Sequence, residues 1–268
     1  MLGMSSIVFY MADDILYPSH IAWQVSLVGL TNVGQLFGAE TMKRLEKAKV
    51  LLAESPAGFR FVCEEITPAW LDKFVPLYEE YIGSKENAAV SHVREHITEE
   101  QAKGKKYETI SLWEGEKFLG GVVYAVMPES IQVAYRVFPR QLSVKLPVGM
   151  SYVAEDYLYR RVFELGKKKI VHGRDRNPYG LNSAIGLAEY KLKIGCSPLV
   201  SRAAIVTFKK VEDLPTDKEA LVFLGKELGE PITEALLISD RSLEELQKQY
   251  GILFKQTAVE IRVEKPRG

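Results

Sequence analysis

The residues best able to do chemistry gather in the second half of the chain. An apolar pair, Ile170-Val171, runs into the stretch His-Gly-Arg-Asp-Arg-Asn-Pro-Tyr-Gly that ends at Gly180. This stretch is too polar and too rich in Gly and Pro to be core. A polar loop between a buried strand and the next helix is where α/β folds place reacting groups. His172 leads the candidates, because an imidazole titrates near working pH and can act as a base or donate to a carbonyl. Arg174 and Asp175 stand beside it. The plainer reading is a histidine packed on a strand and a surface Arg–Asp pair. A second motif, His92-Val-Arg-Glu95-His96, matches H-x-x-E-H. On a helix His92 and His96 share a face and could hold Zn²⁺, with Glu95 activating water and Glu155 as a distant third ligand. The surrounding sequence is strongly polar, whereas a catalytic zinc helix needs a buried wall, so a solvated helix competes with the peptidase reading.

Two helices and a strand must position the first group. In Met-Ser-Tyr-Val-Ala-Glu-Asp-Tyr-Leu-Tyr-Arg-Arg-Val-Phe-Glu-Leu, residues Met150, Val153, Ala154, Tyr157, Leu158, Val162 and Leu165 form one apolar stripe. Gly166 follows, where a glycine can take positive φ and close the helix. A second helix starts near Asn182, carries Tyr190 and Lys191, and stops at Gly195 with Pro198 behind it. Upstream, Gly-Phe-Arg-Phe-Val-Cys-Glu-Glu-Ile from Gly58 reads as a strand. Thr67 then Pro68 opens a helix, a hydroxyl N-cap followed by proline at the first helical position. A further helix runs through the His92 motif. Three alternating stretches, led by Tyr107, Phe118 and Ile131, form a strand meander. Before all this, Ile7–Met11, Ala22–Gly29 and Val50–Glu54 read as short strands and Gly38–Lys49 as a helix. After it, Arg202–Val211 reads as the core's last strand. Ala220–Gly225 and Glu234–Ser239 also read as strands, Ser242 with Glu245 is a capping box, and Thr257–Val263 is a final strand.

The order strand, two helices, three strands, helix, strand, helix, strand resembles the GNAT N-acetyltransferase superfamily. It is similar above all to its FemX-like branch, which includes aminoacyl-ligating and exopolysaccharide-linked acyltransferases. The resemblance is carried by Phe163-Glu-Leu-Gly166, Val171-His-Gly-Arg174 and Tyr190-Lys191 with Gly195 closing the helix, and it covers residues 58 to 210. It implies a mixed, mostly antiparallel sheet flanked by helices, with two neighbouring strands parting near Arg136 and Val171 to admit an activated donor. It implies an acyltransferase that moves an acyl or aminoacyl group from a carrier, acyl-CoA first, to a small-molecule or peptide amine. His172, Arg174 and Asp175 would then lie near the reaction. Tyr190 would protonate the leaving thiolate, and Lys191 would contact the carrier with Asn182. Glu65 is a position that can supply the base, and Tyr135 one that can touch the substrate. The carrier's phosphates would lie on the backbone N–H groups from Val148 through Gly149 and Met150 to Ser151, with Arg140 or Lys145 adding charge. The loop there lacks the family's Arg/Gln-x-x-Gly-x-Gly/Ala signature, and Asn182 to Tyr190 is a spacing of eight where the family has about seven. A GNAT-like module that binds without catalysing stays open as an alternative.

Bulk composition narrows the field. With 268 residues, 47% hydrophobic and 26% charged, the chain can build an ordinary core. Residues 1–57, 58–210 and 211–268 are expected as a terminal α/β segment, the acyltransferase domain and a second terminal segment, the two ends forming a small extra α/β layer. Thirty-five Lys+Arg against thirty-five Asp+Glu leave no net charge, which argues against bulk nucleic-acid binding while leaving a tRNA carrier open. Cys63 and Cys196 belong to no metal or redox spacing, and two buried thiols in a reducing cytoplasm are expected. No apolar run is long enough to span a membrane. No signal peptide is expected, because Asp13 and Asp14 interrupt the mildly apolar start.

Overall fold

The computed structural model describes residues 16–83, 92–138, 146–201, 208–210, 218–225, 227–255 and 258–265. They fall into two compact units, Ala22–Arg174 with Leu187–Pro198, and the described residues of Met1–Ile21, Asp175–Gly186 and Leu199–Gly268.

The fold is mixed α/β, built on a seven-stranded sheet. After β1 (Leu16–Pro18), which pairs elsewhere, its strands are β2 (His20–Ser26), β3 (Phe59–Glu65), β4 (Lys106–Glu114), β5 (Lys117–Val126), β6 (Ser130–Val137), β7 (Lys169–Arg176) and β8 (Ser197–Val200). The sheet order is β3-β4-β5-β6-β7-β2-β8. The meander β3 to β6 is antiparallel, as its alternating sequence and short turns require. β6 and β7 run parallel, and a parallel pair needs a long crossover. That crossover contains α4 (Met150–Glu164). The other helices of this unit are α1 (Ala39–Ala53), α2 (Pro68–Gly83), α3 (Val93–Ala102) and α5 (Ile185–Lys193), whose first two residues belong to the other unit.

α2 and α3 cover one sheet face. Trp70, Leu71 and Phe74 of α2 and Val93 and Ile97 of α3 pack on Tyr107, Val123, Ala125 and Val137. Each fully buried Leu, Ile or Phe in such a layer contributes about 1.5–3 kcal/mol. Thr67 caps α2 through Trp70 N–H to Oγ1 at 3.2 Å, as expected. On the other face α4 is tied down by charge as well as by its apolar stripe. Arg161 reaches Glu108 of β4 at 3.1 Å, and Asp156 takes Lys49 of α1 at 2.6 Å and Arg160 at 2.9 Å. Tyr157, expected in the stripe, is exposed and stacks on Phe61 at 4.6 Å. α4 instead buries Glu155 and Asp156, so it is enclosed on more than one side.

Glu108 gives a pH test. Burial pushes its carboxyl up, but hydrogen bonds from Lys106, Tyr124 and Arg161 outweigh burial and hold it lower than its ordinary 4.5. A depressed folded-state pKa contributes stability that is complete above the unfolded value and lost as pH falls through the folded one. The stability gap between wild type and Glu108→Gln, measured by urea unfolding, should therefore narrow as pH drops from about 4.5. A gap that is flat with pH would show that the charge of Glu108 does not stabilise the fold.

The smaller unit pairs β1 with β9 (Phe208–Lys210) and holds a sheet ordered β10 (Ala220–Leu224), β11 (Glu234–Ile238), β12 (Glu260–Glu264). β11 and β12 are parallel, and α6 (Leu243–Gln249) and α7 (Gly251–Lys255) lie between them in the chain. The Ser242–Glu245 capping box opens α6. Asn177 knits this unit together, donating from Nδ2 to the carbonyls of Pro18 at 2.8 Å and Phe223 at 2.9 Å while accepting from Phe223 N–H at 3.1 Å.

Some expectations need correction. Val50–Glu54 is the end of α1 rather than a strand, because Leu45, Ala48 and Leu52 continue one buried helical face. The polar stretch after Val171 is not a loop at its start, since β7 carries on through Arg176. Ser197–Val200 is a strand despite Pro198. Cys63 is exposed on edge strand β3, its Sγ 3.3 Å from the Tyr124 hydroxyl, and only Cys196 is buried. Ile7–Met11 and most of Arg202–Val211 lie outside the described residues. No helix among the described residues is long and apolar enough to cross a membrane.

Candidate active site

The site forms where β6 and β7 part. Their pairing covers Ser130–Lys169, Ile131–Ile170 and Gln132–Val171, and then stops. β6 goes on to Val137, bonded only to β5 through Val123–Tyr135, Val122–Arg136 and Gly121–Val137. Two local features explain the parting. The β5–β6 register shifts between Val123 and Tyr124, so Ala134 is an extra residue on β6. A bulge increases local twist and turns a strand away from its neighbour. On β7, Gly173 takes φ +78, which a residue with a side chain rarely adopts. Both departures fall just past the last pair. This is a mixed sheet whose inner parallel strands start together and then separate, with the crossover helix behind them.

The sheet is mixed and mostly antiparallel and is flanked by helices, the architecture expected from the sequence. No protein-family model and no curated protein matches the chain. Among solved structures, FemX is similar over 70% of this chain and 61% of its own, at 12% identity and a TM-score of 0.49. A tandem GNAT protein from the clavulanic acid biosynthesis pathway is similar over 69% and 51%, at 15% identity and 0.43. The C-terminal domain of an Agrobacterium fabrum protein assigned as a lysylphosphatidylglycerol synthetase follows at 67% and 57%, 11% identity and 0.44. The chain thus spans between half and two thirds of each of these structures.

Four polar side chains of the larger unit meet at the split. Arg136 of β6 donates from Nη1 to the Tyr190 hydroxyl and from Nη2 to Glu155 Oε1. The Tyr190 hydroxyl, on α5, donates to the same Oε1 at 2.9 Å. His172 of β7 brings Nε2 to 3.8 Å from Glu155 Oε2. One carboxylate on α4 therefore faces both strands that no longer bond to each other. The Glu155 side chain is 0% exposed, His172 4% and Arg136 18%. Burial works against the charge on Arg136, but Glu155 and Tyr190 outweigh it and move its pKa up. Burial pushes the Tyr190 phenol well above its ordinary value; Arg136 opposes this and Glu155 adds to it. Tyr190 is thus a proton-bearing donor across the working range.

Tyr152, in the first turn of α4, packs edge-on against Tyr190 at 5.2 Å, and Lys193 Nζ stands 5.0 Å from the Tyr152 ring centre. The helix N-terminus is thereby tied to the cluster. Gly149 is its N-cap and its first turn carries no acidic residue, so its N–H groups keep their positive character. Val148 and Met150 are buried and Ser151 is half-buried. Arg140 and Lys145 lie outside the described residues. Lys191 is 6% exposed, its Nζ donating to the His172 carbonyl at 3.3 Å and lying 5.5 Å from the Trp23 ring centre. It braces β7 from within.

The remaining candidates stand elsewhere. Glu65 is exposed on edge strand β3, 3.5 Å from Lys106. Three strand spacings separate β3 from β6, roughly 14 Å. Tyr135 shares a hydrogen bond of 2.7 Å with His96 Nδ1. Arg174 is exposed on β7. Asp175 and Asn182 belong to the smaller unit, where Asp175 accepts from the Tyr179 hydroxyl at 2.8 Å and Asn182 N–H bonds to Pro178 O at 3.2 Å. The helix expected from Asn182 begins at Ile185. His92, Glu95, His96, Glu99 and Tyr135 line an open depression of about 680 Å³. Glu155, the third ligand of the zinc reading, stands instead at the β6–β7 split, where its Oε1 accepts from Arg136 and Tyr190. Among the described residues no group of three His, Cys, Asp or Glu is arranged to hold a metal.

Sequence reasoning named Glu155 only as a distant zinc ligand and Arg136 only as a landmark. A glutamate between apolar helix positions opposite an arginine in an alternating strand is a usable signal once the two elements are known to face each other.

Proposed function

We propose that the chain transfers an acyl group from a thioester carrier, acyl-CoA, to the amine of a small molecule or peptide. The observation that carries this reading is the split between β6 and β7 with Arg136, Glu155, Tyr190 and His172 gathered at it. An apolar plug would argue against catalysis. These groups are polar, and among the described residues the buried atoms Arg136 Nε and Glu155 Oε2 have no hydrogen-bond partner, which suits an incoming polar group. The carrier supplies the activated carbonyl. The N–H groups at the start of α4 hold its phosphates. His172 takes the proton of the attacking amine, and the Glu155 carboxylate stabilises the resulting imidazolium. The C–N bond forms, the C–S bond breaks, and Tyr190 offers its hydroxyl hydrogen to the leaving sulfur.

Thermal unfolding in the presence of acetyl-CoA and longer acyl-CoA esters tests the carrier. At a hundred times the dissociation constant, binding to the folded state alone adds about 2.7 kcal/mol. The midpoint should rise by about 5 °C. No rise with any CoA ester would sink the reading. A rise without thiol release, across a panel of amines, would mark a binding module instead.

A further inference from the structure

A guanidinium carries five N–H donors in a rigid fork. In Arg136 both terminal nitrogens are engaged, Nη1 by the Tyr190 hydroxyl and Nη2 by Glu155 Oε1. The Nε–H is different. It is buried, and it has no hydrogen-bond partner among the described residues. Buried donors are almost always satisfied, so this orphan donor, in the same cluster as the unpartnered acceptor Glu155 Oε2, asks what completes it. Its position narrows the answer. Arg136 is four residues beyond Gln132, the last β6 residue paired to β7. It lies on the strand segment whose edge toward β7 is unbonded.

The geometry points to a specific role: Arg136 Nε–H is the donor that receives the reacting acyl carbonyl, and Glu155 is the positioning residue that fixes the fork. The assignment rests on the acyl-carrier reading and adds to it a side-chain cation at the site of charge development. When an amine attacks a thioester, the carbonyl π electrons move onto oxygen, and that oxygen accepts from Nε–H. They return as the C–S bond breaks and the thiolate leaves, while Arg136 keeps all its protons. A cationic donor in a water-poor site stabilises the developing negative charge more than it would in water. Glu155 and Tyr190 hold the fork in place before the carrier arrives, so no reorganisation accompanies the reaction. Two helices serve this one strand residue, α4 through Glu155 and α5 through Tyr190. A ligand whose carbonyl is replaced by CH₂ leaves Nε–H as unsatisfied as before.

The test uses the full chain and two stable CoA ethers, S-acetonyl-CoA, which keeps a carbonyl, and S-propyl-CoA, which lacks it. Calorimetry on wild type should give about tenfold tighter binding of the acetonyl ether, the size expected for one charge-assisted hydrogen bond. With ¹⁵N-arginine labelling, one buried Nε–H resonance should move with S-acetonyl-CoA and stay with S-propyl-CoA. Arg136→Lys, which cannot offer Nε–H, should bind both ethers within about twofold of each other. If both ethers bind wild type equally and no Nε–H resonance discriminates them, the assignment to Arg136 is wrong while the carrier reading stands. If neither ether binds, the carrier reading itself fails and the assignment falls with it. The resonance measurement is made on wild type, so it decides the matter even if Arg136→Lys does not fold.

Discussion

Glu155→Ala should lose about 3–5 kcal/mol of stability, read by urea unfolding at neutral pH, because it strands a buried cation. The carboxylate is fully buried and neutralises Arg136, whose side chain is 18% exposed. Removing it leaves Arg136 Nη2 and the Tyr190 hydroxyl hydrogen without an acceptor. Breaking a buried pair from one side is worse than replacing both partners, so Glu155→Ala combined with Arg136→Met should recover much of the loss. Glu155→Gln keeps an acceptor oxygen for Tyr190 but loses the charge, and should fall between wild type and alanine. A loss smaller than about 1 kcal/mol in the alanine variant would place this arginine in the class of solvated surface ions. The cluster would then be no rigid device, and the role given to Glu155 would fail.

How much of this was legible in the residues depends on the range of the interaction that shapes them. The meander from β3 to β6 follows from alternation and turns, both local, and the Thr67–Pro68 start and the Ser242–Glu245 box are local too. Where a segment's fate is decided by what covers it, local pattern misleads. Val50–Glu54 is apolar enough for a strand, yet α1 simply continues through it. Pro198 sits in β8 although proline inside a strand argues against pairing. His172 stood out because it follows an apolar pair at the start of a polar stretch, whereas Tyr190 entered only through the family resemblance. The Arg136–Glu155 pair was not visible, because its partners lie nineteen residues apart on a strand and a helix. Nothing in either segment states that they pack face to face. Lys191 shows the same limit: the resemblance gave it to the carrier, whereas its Nζ lies 5.5 Å from the Trp23 ring centre and donates to the His172 carbonyl.

Tyr190→Phe should lower acyl transfer about 10²- to 10³-fold, with affinity for the acyl carrier changed only a few-fold. The hydroxyl donates to Glu155 at 2.9 Å and accepts from Arg136, so it sits between the carboxylate and the cation of the proposed mechanism. Its loss takes away the hydrogen offered to the leaving sulfur, an interaction that strengthens as the C–S bond breaks. Interactions made chiefly in the transition state appear in kcat rather than in binding. The ring itself stays, so the edge contact with Tyr152 at 5.2 Å and the packing at the start of α4 stay with it. The measurement is kcat and KM for CoA release with a fixed amine, alongside calorimetric binding of S-acetonyl-CoA. A purely structural tyrosine would show the opposite pattern: weakened carrier binding and a lowered unfolding midpoint with kcat nearly intact. Leaving-group dependence separates the two further. If Tyr190 assists departure of sulfur, an acyl donor whose thiol is more acidic needs less help, and the deficit of Tyr190→Phe should shrink with it. A deficit that stays constant across thiols of different acidity would remove Tyr190 from the bond-breaking step and leave it only the task of holding Arg136.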